Sequence, residues 1–168
     1  MVDCNVVQNP IVPRTKLIKD TEGQKVDSTH FKKIVRSLMY LTNTRPDLMY
    51  VVSLISKFME SPTKVHLQTT KRILRYVKGT TYYGLFYKKG LKGDFLLGYS
   101  DSDYAGDLDD RKSTSGYVFM YGSAVVPWSS KKQPVVTLST TKAEFIAAAS
   151  CTCQAVRLRR LLNELHCS

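Results

Sequence analysis

The sequence predicts an α/β chain whose first half is mainly helical and whose second half runs through antiparallel strands into a last helix. Two changes of period carry that reading. Between Phe31 and Val77 the apolar residues recur at helical spacing; from Thr80 the pattern turns to short strands punctuated by glycines, and helical spacing returns after Ser139. Charge divides the chain in the same way. The net charge is +11, and residues 1–93 hold 17 Lys and Arg against 6 Asp and Glu, while residues 94–168 hold 8 against 8.

Residues 1–26 contain Pro10, Pro13 and Gly23 without sustained periodicity and read as an extended leader. Ser28 or Thr29 can cap a helix to about Leu41, with Phe31, Ile34, Val35, Leu38 and Leu41 on one side. The segment NTRPD breaks it, and Pro46 suits the first turn of a second helix through Val51, Leu54, Ile55 and Phe58. Ser61-Pro62 ends that helix. A third follows, with Val65, Leu67, Leu74 and Val77 as apolar positions and Gly79 as its C-terminal cap. TYYGLFYKK, residues 81–89, reads as a strand, and Gly90 and Gly93 mark turns. Phe95 to Tyr99 is a second strand, ending at Ser100-Asp101; Gly116 to Tyr121 and Ala124 to Ser129 are two more, joined at Gly122-Ser123. The last helix starts near Ser139 or Thr140 and runs towards Leu165, with Ile146, Ala149, Val156 and Leu161 on its buried side. The division is a leader over 1–26, a helical segment over 27–93 and an α/β segment over 94–168.

Composition narrows the function. A chain of 168 residues that is 43% hydrophobic suits one ordinary or two small globular units. No apolar run approaches the roughly 20 residues of a membrane span. The opening MVDCNVVQNPIVP lacks a basic end followed by an apolar stretch, so a signal peptide is not expected, and a cytosolic or nuclear setting is. Cys4, Cys151, Cys153 and Cys167 fit neither a disulfide nor a zinc pattern. His30, His66 and His166 are scattered and read as surface or packing residues.

Two groups of residues could carry chemistry. Lys64, Lys71, Arg72, Arg75 and Lys78 lie on the third helix; Lys64, Lys71, Arg75 and Lys78 recur at intervals that put them near one face, where they could follow a nucleic-acid backbone. A solvated basic face is the plain alternative. Six of the eight acids in the second half fall between Asp94 and Asp110. Asp101 ends a strand and Glu144 lies in the first turns of a helix, so the two could share a hard divalent cation through oxygen ligands. Equally, an Asp-rich loop can be merely solvated, and a Glu near a helix start can answer the helix dipole.

The stretch YSDSDYAGDLDDRKSTSGYVF, residues 99–119, resembles the opening of the ribonuclease H domain in copia-type retrotransposons. WSSKKQPVVTLSTTKAEFIAAAS, residues 128–150, looks like its next block. Upstream, RSLMYLTNTRPDLMYVVSLISKFMESPTKVHLQTTKRILRYVKGT, residues 36–80, is similar to the end of the same family's reverse transcriptase. The likeness covers nearly the whole chain, and its blocks come in family order.

What the resemblance implies is a ribonuclease H-like α/β unit after a helical reverse-transcriptase tail. It also implies two-metal hydrolysis, with Mg²⁺ or Mn²⁺, of the RNA in an RNA–DNA hybrid. Asp101 matches the family's first catalytic Asp and Glu144 its catalytic Glu, so the resemblance makes these two the catalytic and metal-binding candidates. Lys142 stands where the family usually has an acid. The family's third and fourth metal-binding acids lie beyond the position of Ser168, and its polymerase aspartate pair lies before Met1. The expectation is therefore a truncated ribonuclease H-like fold, strands plus first helix, with weak or absent metal binding and no hydrolysis by the chain alone. Two other readings stand beside it. One is a basic module that binds hybrid or duplex nucleic acid without cutting it. The other is a secreted effector, because Arg72-Ile73-Leu74-Arg75 matches the R-x-L-R string of oomycete effectors.

Overall fold

A computed structural model of the chain describes residues 4–13, 15–19, 21–88 and 95–165, and these fall into two compact units, Met1–Gly84 and Leu85–Ser168. In the first unit, helix α1 (Ser28–Leu41) is followed by a 3₁₀ turn (Pro46–Leu48), α2 (Met49–Ser56) and α3 (Lys64–Gly79). The N-cap of α1 is Asp27, whose carboxylate accepts from Thr29 N at 2.8 Å, so the cap lies one residue before the expected Ser28 or Thr29. The core is built from Phe31, Val35, Leu38, Leu48, Val51, Val52, Ile55, Phe58, Ile73 and Tyr76, with Leu17 of the leader added. Each such side chain contributes about 1.5–3 kcal/mol by burial.

On α3 the buried side is His66, Thr70, Ile73 and Tyr76, whereas Val65 is 52% exposed and Leu67, Leu74 and Val77 are only partly buried. The expectation put the apolar residues deepest, but the helix instead turns two polar residues inward because both are satisfied. Thr70 Oγ1 donates to the carbonyl of His66 at 2.9 Å. His66 stacks on Phe58 with ring centroids 4.0 Å apart, accepts from Thr63 N at Nδ1 (3.0 Å) and sets Nε2 3.1 Å from the carbonyl of Ile18. These partners fit an imidazole that carries its proton on Nε2. The ring thus closes a capping box and pins the leader to α3. Gly79 is the last residue of α3 rather than a cap beyond it, and Thr80 follows as the C-cap.

The break after α1 is organised by Arg45, which is 5% exposed. Its guanidinium holds Asp47 with two bonds (2.9 and 2.8 Å) and reaches across to Thr80, donating to the carbonyl at 2.9 Å and to Oγ1 at 2.8 Å. Tyr76 adds a donor to Asp47 at 3.0 Å. Burial pushes the Asp47 carboxyl up, but the hydrogen bonds from Arg45 and Tyr76 outweigh it and hold it below the usual carboxylate range.

The second unit is a three-stranded antiparallel sheet, β1 (Leu96–Ser102), β2 (Thr114–Tyr121) and β3 (Ala124–Lys132), in the order β1-β2-β3. Helix α4 (Thr140–Glu164), N-capped by Ser139, packs on β1 and β2. No strand forms over residues 81–88, which are a turn and irregular chain; Lys89, Gly90, Gly93 and Asp94 lie outside the described residues. The aromatic run there has strand-like composition but no ladder partner, and composition alone does not make a strand. Tyr82 and Phe86 are each 80% exposed.

The face of α4 also differs from expectation. Ala143, Ala147 and Cys151 are buried, Ile146 is half-buried, Ala149 is exposed, and Val156 and Leu161 are about half-exposed. Small residues let the helix lie close to the sheet, and the larger apolar residues fall outside that contact. Gly98 serves the same sheet face: a Cβ there would sit 2.7 Å from the ring of the buried Phe119. Among the described residues no helix is long and apolar enough to cross a membrane.

The Arg45 network makes the first unit's stability depend on the ionisation of Asp47. Because Asp47 has a depressed folded-state pKa, its contribution is present above about pH 4, the unfolded carboxylate value, and is lost as pH falls through the folded value. Asp47→Ala should cost about 3 kcal/mol, since it leaves the buried guanidinium without its carboxylate. Denaturant titrations followed by far-UV circular dichroism check this; the variant should lose stability at neutral pH and show a flatter decline below about pH 4.

Candidate functional site

The two matching carboxylates stand at the same end of the second unit. Gln133, 3% exposed, fixes that end: its Nε2 is 3.2 Å from Ser102 Oγ, 2.7 Å from Ser115 Oγ and 3.0 Å from the carbonyl of Ala143. Ala143 on α4 is thereby level with Ser102 on β1. Eight residues on, Cys151 lies 4.0 Å from the carbonyl of Tyr99. Burial pushes the Cys151 thiol up, so it packs as a neutral group. Helix α4 therefore runs back along β1, with Glu144 and Asp101 at corresponding levels.

The register decides which way Asp101 faces. Gly98 stands over the Phe119 ring, Tyr117 and Phe119 touch edge to face, and Tyr117 and Ser115 line the same cavity as Ile146, Ala147 and Ser150 of α4. That assigns Leu96, Gly98, Ser100 and Ser102 to the sheet face under α4. Alternation then puts Leu97, Tyr99 and Asp101 on the opposite face. Glu144 lies about 20° around α4 from Cys151, on the side of the helix nearest β1, by the ordinary helical period. The two carboxylates thus flank the outer edge of β1, one from each side of the sheet, and do not converge as the expectation of a shared cation requires, because strand alternation turns Asp101 away from the face under α4. Both are exposed, and neither has a hydrogen-bond or ion-pair partner among the described residues.

The neighbouring acids are engaged elsewhere. Asp103 accepts from Thr114 N at 2.6 Å. Asp107 and Asp110 share Lys132 Nζ at 2.6 and 2.8 Å, and Asp107 also accepts from Asp109 N at 3.0 Å. For Asp110, burial pushes the carboxyl up, and the hydrogen bonds from Lys132 and the Lys112 backbone together with the Lys132 charge outweigh it, so the group sits below the usual range. The loop from Asp103 to Lys112 is a turn held by its own carboxylates, with Ala105 and Arg111 in the left-handed region. Lys132 is the residue that charge counting missed. Its signal was its position at the end of β3, opposite Thr114 across the ladder.

The Mg²⁺ or Mn²⁺ that the sequence resemblance implies would need oxygen ligands from these acids. Two exposed carboxylates on opposite faces of a strand do not make a two-ion site, which needs several convergent oxygens. No group of three or more potential ligands is present among the described residues. The described residues therefore do not fit a two-ion centre.

The basic candidates lie in the first unit. Lys64, Lys71 and Lys78 are exposed, while Arg72 and Arg75 are half-buried. Three of the five donate to the leader: Arg72 Nε to the carbonyl of Asn9 (3.2 Å), Arg75 Nε to that of Asn5 (2.6 Å) and Lys78 Nζ to that of Cys4 (3.0 Å). Ile73, inside the Arg-Ile-Leu-Arg string, is fully buried.

Lys132→Met should cost about 3 kcal/mol in the second unit, because the nearly buried Asp107 carboxylate loses its cation. A fall in the thermal midpoint, read by Trp128 fluorescence, is the expected result; an unchanged midpoint would show that the loop holds itself.

No protein-family model matches the sequence, and no solved structure matches it. Among known proteins it is 44% identical over 165 residues to the retrovirus-related Pol polyprotein from transposon RE1 of Arabidopsis thaliana, which covers 98% of this chain and 11% of the relative. The corresponding polyprotein from transposon TNT 1-94 of Nicotiana tabacum is 39% identical over 172 residues, covering 98% of this chain and 13% of the relative. A protein named secreted RxLR effector protein 161, from Plasmopara viticola, is 45% identical over 125 residues, which is 74% of this chain and 87% of that protein. The chain thus spans about a tenth of the Pol polyproteins it matches. With nearly all of its length aligned to them at this level of identity, the chain belongs to the copia-type retrotransposon Pol polyprotein family.

Proposed function

We propose that the second unit is the opening part of a ribonuclease H-like domain, that Asp101 and Glu144 are its first two catalytic carboxylates, and that these 168 residues do not by themselves hydrolyse the RNA of an RNA–DNA hybrid. The two blocks that carry Asp101 and Glu144 support the assignment, and the observation that carries the inactivity is the placement of those two acids. They stand level with each other at the outer edge of β1, while Asp103, Asp107 and Asp110 are spent on the backbone and on Lys132. Two divalent ions a few ångströms apart repel each other, so a pair of loosely placed carboxylates cannot hold both. The lysine at position 142, two residues before Glu144, lies beside that position and makes the local field more positive.

In the same reading, the first unit contributes nucleic-acid affinity without chemistry. Lys64, Lys71, Arg72, Arg75 and Lys78 lie along a single helix and could neutralise successive phosphates of a hybrid or duplex. Such contacts position a backbone and carry no sequence preference. The effector reading draws support from the similarity to the Plasmopara viticola protein. Against it stands the geometry of the string itself, since Ile73 is in the core and both arginines bond the leader.

Incubation of the purified chain with a labelled RNA–DNA hybrid and Mg²⁺ or Mn²⁺ should give no cleavage above that of an Asp101→Asn control. Cleavage by the parent chain that vanishes in the control would refute the inactivity. In anisotropy titrations with the same hybrid, affinity should fall with salt at a log–log slope of about −3 to −5, the value expected for four or five phosphate contacts. A slope near zero would exclude the basic helix as a phosphate-binding surface.

A further inference from the structure

The leader of the first unit lies on the very donors that the nucleic-acid reading needs. Its carbonyls at Cys4, Asn5 and Asn9 meet Lys78, Arg75 and Arg72 in turn, so the segment runs antiparallel to α3 along its basic side. A carbonyl oxygen and a phosphate oxygen are the same kind of partner for a guanidinium or ammonium group, but the phosphate is charged and bonds more strongly. The segment is held by shape as well. Gly79 leaves room for Val6, to which a Cβ at position 79 would approach within 3.0 Å, and Val7 and Ile11 pack against the core. Val6 itself is 57% exposed, which makes this end of the leader the lightly held end. Further along, Leu17 is buried and the carbonyl of Ile18 meets His66, so the strap is fastened at one end and loose at the other.

We propose that residues 4–9 and a nucleic-acid backbone compete for Arg72, Arg75 and Lys78, so that the leader acts as a displaceable strap that weakens binding until phosphates replace its carbonyls. The inference rests on the reading of α3 as a phosphate-binding helix and goes beyond it by naming what occupies that helix when nucleic acid is absent. Lys64 and Lys71, which make no bond to the strap, would make the first contact, and displacement would add the other three donors.

Cys4 supplies a native reporter, because it lies in the strap and in no disulfide. Its alkylation rate, located by peptide mass, should rise several-fold when a saturating RNA–DNA hybrid is added to the full chain. In parallel, Gly79→Gln puts a side chain against Val6 and levers the strap away, while glutamine favours the helix over glycine. This variant should bind the hybrid about threefold more tightly or better, the equivalent of removing one competing hydrogen bond. The double variant Arg72→Ala with Arg75→Ala separates the two ideas. If it weakens binding while Cys4 reactivity and Gly79→Gln affinity stay unchanged, competition by the strap is wrong and the α3 surface stands. If it binds as tightly as the parent, the α3 surface is wrong and the strap proposal goes with it. Should Gly79→Gln fail to fold, the Cys4 rate in the parent chain decides alone.

Discussion

A buried hydrogen-bonding group must find a partner, and the distant connections of this chain are made where one does. Arg45 joins the break after α1 to the end of α3 through Thr80. His66 joins α3 to the leader through Ile18. Gln133 joins β1, β2 and α4 through its amide nitrogen, whose two hydrogens have three acceptors within reach, while its Oε1 has no hydrogen-bond partner among the described residues. Apolar burial supplies most of the favourable free energy in each unit, but it is non-directional. These three side chains fix which level of one element faces which level of the next. The alignment of Asp101 with Glu144 is a consequence of the third.

Helix starts, the Pro46 turn and the β2–β3 hairpin were legible because each has a local signal: a cap, a fixed φ, a Gly122-Ser123 turn. The core face of α1 was read correctly for the same reason, through Phe31, Val35 and Leu38. What misled was hydrophobicity used as a guide to depth. On α3 it favoured Val65 over His66 and Thr70, because a polar side chain with a local partner loses little by burial. On α4 it favoured Val156 and Leu161 over Ala143 and Ala147, because close approach of helix to sheet selects for small size. At residues 81–88 it read strand where, among the described residues, no neighbouring strand pairs with the backbone.

The candidate site was legible as residues and not as geometry. Asp101 and Glu144 could be named from their blocks, yet their relation depends on the pairing of Asp101 with Gly116 and on which sheet face α4 covers, neither of which a linear pattern contains. The loop acids looked like a reservoir of further ligands. Their commitment to Thr114 and Lys132 is a tertiary fact. The basic residues of α3 are legible as a row, but three of the five already bond the leader, which no local pattern signals. In both units charged groups that composition would count as available for a ligand are held by the chain's own backbone and side chains.

Counting bound ions tests this commitment of carboxylates to structure without any nuclease assay. Titration of the full chain with Mn²⁺, followed by the electron paramagnetic resonance signal of the unbound ion, gives the stoichiometry directly. The account predicts no more than one weakly bound ion, lost in Asp101→Asn. Two ions held tightly and together would contradict it, because the described acids would then have to leave Thr114 and Lys132 to bind them.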